Sequence, residues 1–147
     1  FMIEIGGEMR TKGVKPDGSH WVVGIEAPTK GRRQLFQTLE LGDASLATSG
    51  DYRNYRTIDG KRYSHTIDPT TGFPVGSRLA SVSVVEKTCM RADAMATALM
   101  VMGPEKAYDF AEGNDCAVLL IVSDENRFRP RLTSAFRALV PSQRAVR

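Results

Sequence analysis

Residues 88–103, TCMRADAMATALMVMG, decide what kind of fold this chain adopts. Ala92, Ala94, Met95, Ala96, Ala98, Leu99 and Met100 form a strongly helix-favouring run. The run is apolar nearly all round, and a helix of that kind is expected to be buried. Gly103 is a stop signal. Pro104 suits the first turn of a following helix, where its missing N–H would have had no intrahelical partner. PEKAYDFAEGN, residues 104–114, reads as that second helix, ending at Gly113. Strands flank the pair. RLASVSVVEK (78–87) alternates and is rich in valine, and CAVLLIVSD (116–124) is a buried apolar run.

Working outward, FMIEIGGEMR (1–10) reads as a strand interrupted at Gly6-Gly7 by a bulge or a close backbone approach. Lys12-Gly13 and Pro16-Asp17-Gly18 are turn chemistry. HWVVGIEAP (20–28) is a second strand ended by Pro28, and GRRQLFQTLELGD (31–43) a third. Asp59-Gly60 is a hairpin signal. NRFRPRLTSAFRALV (126–140) is a strand or short edge element, followed by a frayed tail over 141–147. Strands, then two helices, then strands imply an α+β fold, a largely antiparallel sheet with two packed helices. Its 147 residues suit one domain, spanning 1–140.

The net charge of +3 is mildly basic, and the basic residues are not gathered in one block. The nearest to clusters are Lys30, Arg32 and Arg33, then the tail from Arg127 to Arg147. No basic stripe with interleaved aromatics is present, so nucleic acid is not an expected partner. Cys89 and Cys116 lack zinc-site spacing and read as small hydrophobes, or as a pair in an oxidising compartment. The sequence contains no signal peptide, lipobox or transmembrane run. FMIEIGG reads as the middle of a strand, so the chain is expected to begin inside a domain.

Three stretches offer chemistry. Asp93 lies on the apolar helix, where a carboxylate is costly unless partnered. Thr97 follows four residues on, so both oxygens leave the same helix face. Such a pair suits a hard cation like Mg2+. The alternative is that Asp93 caps the helix or pairs with Arg91. In SHTIDPTTGFPV (64–75), Asp68-Pro69, Thr70-Thr71 and Gly72 restrain the backbone around His65. The imidazole is either a held acid–base group or a turn residue facing water. In ATSGDYRNYR (47–56), small residues either admit a ligand or form an ordinary Asx turn. His20 beside Trp21 reads as structural, and Gly6-Gly7 with Glu8 is ambiguous.

Together these stretches are more specific than each alone. IEIGGEMR, W-x-V-G-I-E-x-P, LATSGDYRNYR, DGKRYSHTIDPTTGFPV and ADAMATAL stand in the order and spacing of the ApbE family, the FAD:protein FMN transferases. The chain resembles that family over residues 1 to about 122. The resemblance implies transfer of FMN from FAD to a threonine or serine hydroxyl of a target flavoprotein, with Mg2+ bound and AMP released. It implies acceptor subunits of redox complexes as partners. Asp93, Ala96 and Thr97 then match the metal site, Ala96 through its main-chain oxygen. His65 matches the histidine near the pyrophosphate, Ile67 a backbone contact to FAD, and Thr48, Ser49, Gly50 and Asp51 the wall of the active site.

Family proteins are about twice as long, and their first half supplies most of the FAD pocket. The resemblance therefore implies that this is the C-terminal half of such an enzyme: a fragment, one chain of a cleaved protein, or a truncated homologue. It implies a periplasmic location, as an inner-membrane lipoprotein in the full-length form. Two rival activities remain: an FAD pyrophosphatase giving FMN and AMP, and a non-catalytic flavin-binding or assembly factor.

Overall fold

The structure, a computed structural model, describes residues 1–29, 34–51, 55–59, 61–76, 78–124 and 127–141. Lys30–Arg33, Tyr52–Asn54, Gly60 and Ser142–Arg147, which touch the basic cluster, the third strand, the small-residue stretch, the hairpin signal and the tail, lie outside the described residues. Ten strands and three helices are described. The main sheet has six strands, all antiparallel: β1 (Met2–Ile5), β2 (Glu8–Thr11), β5 (Ser45–Gly50), β8 (Leu79–Glu86), β9 (Ala117–Asp124) and β10 (Arg127–Leu132), in that spatial order. β3 (Trp21–Glu26) pairs with β4 (Leu35–Leu41), and β6 (Tyr55–Ile58) with β7 (Lys61–Ser64). Ile5 faces Glu8 in the ladder, and Gly6 and Gly7 have φ of 68° and 109°. The expected interruption is thus a two-residue hairpin turn, for which positive φ at both positions is the favoured geometry.

Alternation along β8 and β9 sends side chains to two different cores. Val82, Val84, Val118 and Leu120 pack with Ala96, Leu99, Met100, Ala107 and Ala111 of helices α1 (Cys89–Met102) and α2 (Pro104–Gly113). On the other face Leu46, Ala80, Leu119 and Ile121 pack with Val23, Ile25, Leu39 and Leu41 of the β3–β4 hairpin. Burial on both faces explains why β9 reads as a near-continuous apolar run, while β8 alternates because Ser81 and Ser83 are its buried polar positions.

Thr88 caps α1, its hydroxyl accepting from the Arg91 amide. Gly103 ends α1 at φ 78° and Pro104 opens α2, as the sequence predicts. Burial of α1 departs from expectation. Ala92, Ala96, Leu99 and Met100 are buried, while Met90, Asp93, Ala94, Thr97 and Ala98 are exposed. Alanine favours a helix whichever way it faces, so the alanine-rich run carried no information about burial. Both cysteines are free and only half-buried, and burial pushes the Cys116 thiol up.

A third, short helix was not anticipated. α3 (Ser134–Arg137) follows β10 where an edge element was expected. Thr133 caps it, accepting from the Phe136 amide, and also donates to the Cys116 carbonyl at 2.7 Å. The Glu112 carboxylate at the end of α2 accepts from the Ser134 amide at 2.9 Å and from its hydroxyl. These ties place the Phe136 ring in the hairpin-side core, fully buried. Phe136→Ala should cost about 3–5 kcal/mol in urea unfolding, the usual range for an emptied aromatic site. Leu35→Ala, on an exposed side chain of β4, should change little.

Candidate active site

Helix α1 lies across β5 and β8. The residues at that junction are small: Ala47, Ala92 and Ala96 are all buried. Small side chains bring helix and sheet close together. Asp93 and Thr97 stand on the adjoining, exposed flank of the helix, one helical turn apart. The structural roles considered for Asp93 belong to other residues. Thr88 is the cap, and Arg91 lies 3.6 Å from Glu86. The Asp93 carboxylate makes no hydrogen bond or ion pair with the described residues. Ala96 points into the core, and its carbonyl lies within the helix span.

Thr97 does have a neighbour. Its Oγ1 lies 3.0 Å from Ser49 Oγ on β5. Ser49 faces Val82 in the ladder and shares its side of the sheet with α1. Thr48 points the other way and shares a 2.7 Å hydrogen bond with Ser83. The structure thus joins two of the three sequence stretches, 48 residues apart in the chain. Gly50 faces Ser81, and the Asp51 amide donates to the Ala80 carbonyl at 3.1 Å as the strand ends. Asp51 is half-buried.

The third stretch is a compact hairpin. Ile67 and Pro74 form an isolated antiparallel bridge. The Val75 amide donates to Thr66 O at 2.9 Å, and Asp68 N to Phe73 O at 2.9 Å. Asp68 closes the tip as an Asx turn, its Oδ1 accepting from the Thr70 amide at 2.8 Å and the Thr70 hydroxyl at 2.7 Å. Gly72 supplies the positive φ, 72°, that the turn needs. His65 is exposed at the base of this loop and Ile67 is 49% exposed. Phe73, 72% exposed, was not singled out from the sequence. The available signal was an aromatic between Gly72 and Pro74, where a turn ordinarily carries a polar residue. Since Gly50 faces Ser81, the chain leaves and re-enters the sheet at one end. That topology anchors both ends of the segment carrying His65 at the end of the sheet where Gly50 lies.

Among the described residues, no three His, Cys, Asp or Glu gather as a metal cluster. An Asp–Thr pair still fits Mg2+, which keeps several waters and takes substrate phosphates as ligands.

The Thr70 hydroxyl, then its amide, hold the Asp68 carboxyl below its ordinary value of 3.8. A depressed carboxylate contributes order that is complete above that ordinary value and is lost as pH falls through the lower folded value. Amide exchange at Thr70 and Gly72 should therefore accelerate in acid below pH 3.8. Asp68→Ala should show the acceleration already at neutral pH, while Asp68→Asn, which keeps an acceptor oxygen, should retain protection.

A large antiparallel sheet with a helix layer on one face is a fold shared with flavin transferases of known structure. The fold is similar to the flavin transferase ApbE from Vibrio cholerae, with a TM-score of 0.81 and 47% identity, over 95% of this chain and 44% of that one. Among curated proteins it is similar to an FAD:protein FMN transferase of Vibrio cholerae, 50% identical over 137 residues, 93% of this chain and 41% of that protein. It is 43% identical to the FAD:protein FMN transferase of Haemophilus influenzae over 144 residues, 97% of this chain and 42% of that protein. The model of the ApbE family matches residues 1–120, and the chain belongs to that family. It spans about two fifths of the length of these curated relatives.

Proposed function

We propose that this chain supplies the metal-binding and histidine-bearing part of an enzyme that moves FMN from FAD to a protein hydroxyl. The observation that carries the reading is the Asp93 carboxylate, without a partner among the described residues and one turn from Thr97, in a chain 50% identical over 137 residues to an FAD:protein FMN transferase. The acceptor threonine or serine oxygen attacks the phosphorus of the FMN half. A new P–O ester bond forms, the pyrophosphate P–O bond breaks, and AMP leaves. His65 takes the hydroxyl proton. The backbone at Ile67, fixed by its bridge to Pro74, meets the nucleotide, and Ser49 and Gly50 shape the wall. Asp93 and Thr97 would hold Mg2+, whose charge would offset the phosphate oxygens. Ala96, whose side chain packs into the core beneath this face, would join them through its main-chain oxygen, as the family resemblance implies.

The acceptor is a flavin-carrying subunit of a redox complex, and the location periplasmic, as a lipoprotein in the longer form. Both rest on the family resemblance. No helix among the described residues is long and apolar enough to cross a membrane.

In a protein of the relatives' full length, Asp93→Ala should abolish metal-dependent transfer while the fold persists. His65→Ala should slow it by about 10²–10⁴, the usual contribution of a general base, with FAD still bound. Covalent flavin fluorescence on the acceptor, measured beside AMP release, decides. AMP without labelled acceptor would mean that water is the acceptor, and near-normal transfer by Asp93→Ala would sink the metal assignment.

Residues 1–147 alone should bind FAD weakly and transfer little FMN. Positioning can account for about 7–11 kcal/mol of such a barrier, and two fifths of the relatives' length cannot supply it. Flavin fluorescence on titrating FAD into the chain checks this, and tight binding with transfer would place the pocket here.

A further inference from the structure

We propose that Ser49 is a positioning residue that accepts the Thr97 proton and so turns the Thr97 lone pairs toward the cation held with Asp93. This rests on the reading of the α1 face given above. A hydroxyl has one proton and two lone pairs, so its rotor decides which it presents. A helical threonine has a competing choice, to donate back to the carbonyl four residues earlier. For Thr97 that carbonyl belongs to Asp93, and the bond would turn the hydroxyl along the helix. Instead Thr97 Oγ1 sits 3.0 Å from Ser49 Oγ. Neither hydroxyl makes another hydrogen bond among the described residues.

The direction of that bond follows from the cation. If Ser49 donated, it would occupy a Thr97 lone pair. If Thr97 donates, both its lone pairs stay available. A cation drawing on the oxygen also makes the Thr97 proton a better donor, which selects the second arrangement. Outer partners of this kind orient a ligand and tune its strength. Ser49 can serve because the ladder fixes it: it sits opposite Val82, and its neighbour Thr48 is locked to Ser83 on the other face. The pair lies at the surface, where water would satisfy either hydroxyl, so folding alone gives it little reason to exist.

The test is a Mn2+ titration of this chain, reading free Mn2+ by electron paramagnetic resonance. Ser49→Ala should weaken Mn2+ binding by about 10–100-fold, the usual effect of losing an outer partner. Ser49→Thr, which keeps the oxygen, should restore most of it. Ser49→Ala combined with Thr97→Val should bind no more weakly than Thr97→Val alone, since Ser49 acts only through Thr97. The metal-free melting temperature of Ser49→Ala should match that of the parent chain. Unchanged affinity in Ser49→Ala, additive losses in the double variant, or a loss confined to the melting temperature would each overturn the proposal. No Mn2+ binding by the parent chain, or equal binding by Asp93→Ala, would instead bring down the cation reading of α1, and Ser49's role with it.

Discussion

Strands β8 and β9 carry apolar side chains on both faces, and neither face can be left to water. Val82, Val84, Val118 and Leu120 require the helix layer, and Leu119 and Ile121 require the β3–β4 hairpin and Phe136. Each buried side chain of this size is worth about 1.5–3 kcal/mol relative to exposure. Most of the remaining architecture answers that demand. Thr133 and Glu112 exist in the fold as devices that seat Phe136, and Gly103 with Pro104 folds α2 back beside α1 to complete the opposite cover.

The site is a by-product of the helix layer. α1 has to approach the sheet closely, so its inner residues are alanines and the β5 residue beneath is Ala47. Close approach brings the side of the helix within reach of β5, and a serine at the next inward position meets a threonine on the helix. The histidine loop is rigid for an unrelated reason. Its order comes from local hydrogen bonds about Asp68 and from one strand-like bridge, not from the core.

Elements whose cause is local were legible in the sequence, and those whose cause is distant were not. The helix pair announced itself through alanine content, a glycine stop and a proline start. The turn chemistry at Asp68–Gly72 was equally plain. Gly6-Gly7 was readable as a backbone exception, but bulge and hairpin differ only in which residues pair across it. α3 has too few residues to show a period, and its signal was a single capping threonine. Asp93 stayed ambiguous because Arg91 lies nearby in sequence. Residues two apart on a helix do not face each other, and Arg91 turns to Glu86 instead. The ordered motifs did identify the family. That Ser49 meets Thr97 depends on β5 lying beside β8 beneath α1, which no local pattern encodes.

Gly50 and Ser81 face each other on adjacent antiparallel strands, so everything between them is, topologically, one very long hairpin connection. Among the described residues, none in the two core clusters falls within 51–78. Closing a longer loop costs only about 0.6 kcal/mol for each doubling of its length. The segment with the histidine is therefore an insertion whose length costs the scaffold little. Natural variation or laboratory grafting can lengthen, shorten or rewrite it without asking the sheet to refold. What the molecule recognises can then diverge while helix α1, built into the core, stays where it is.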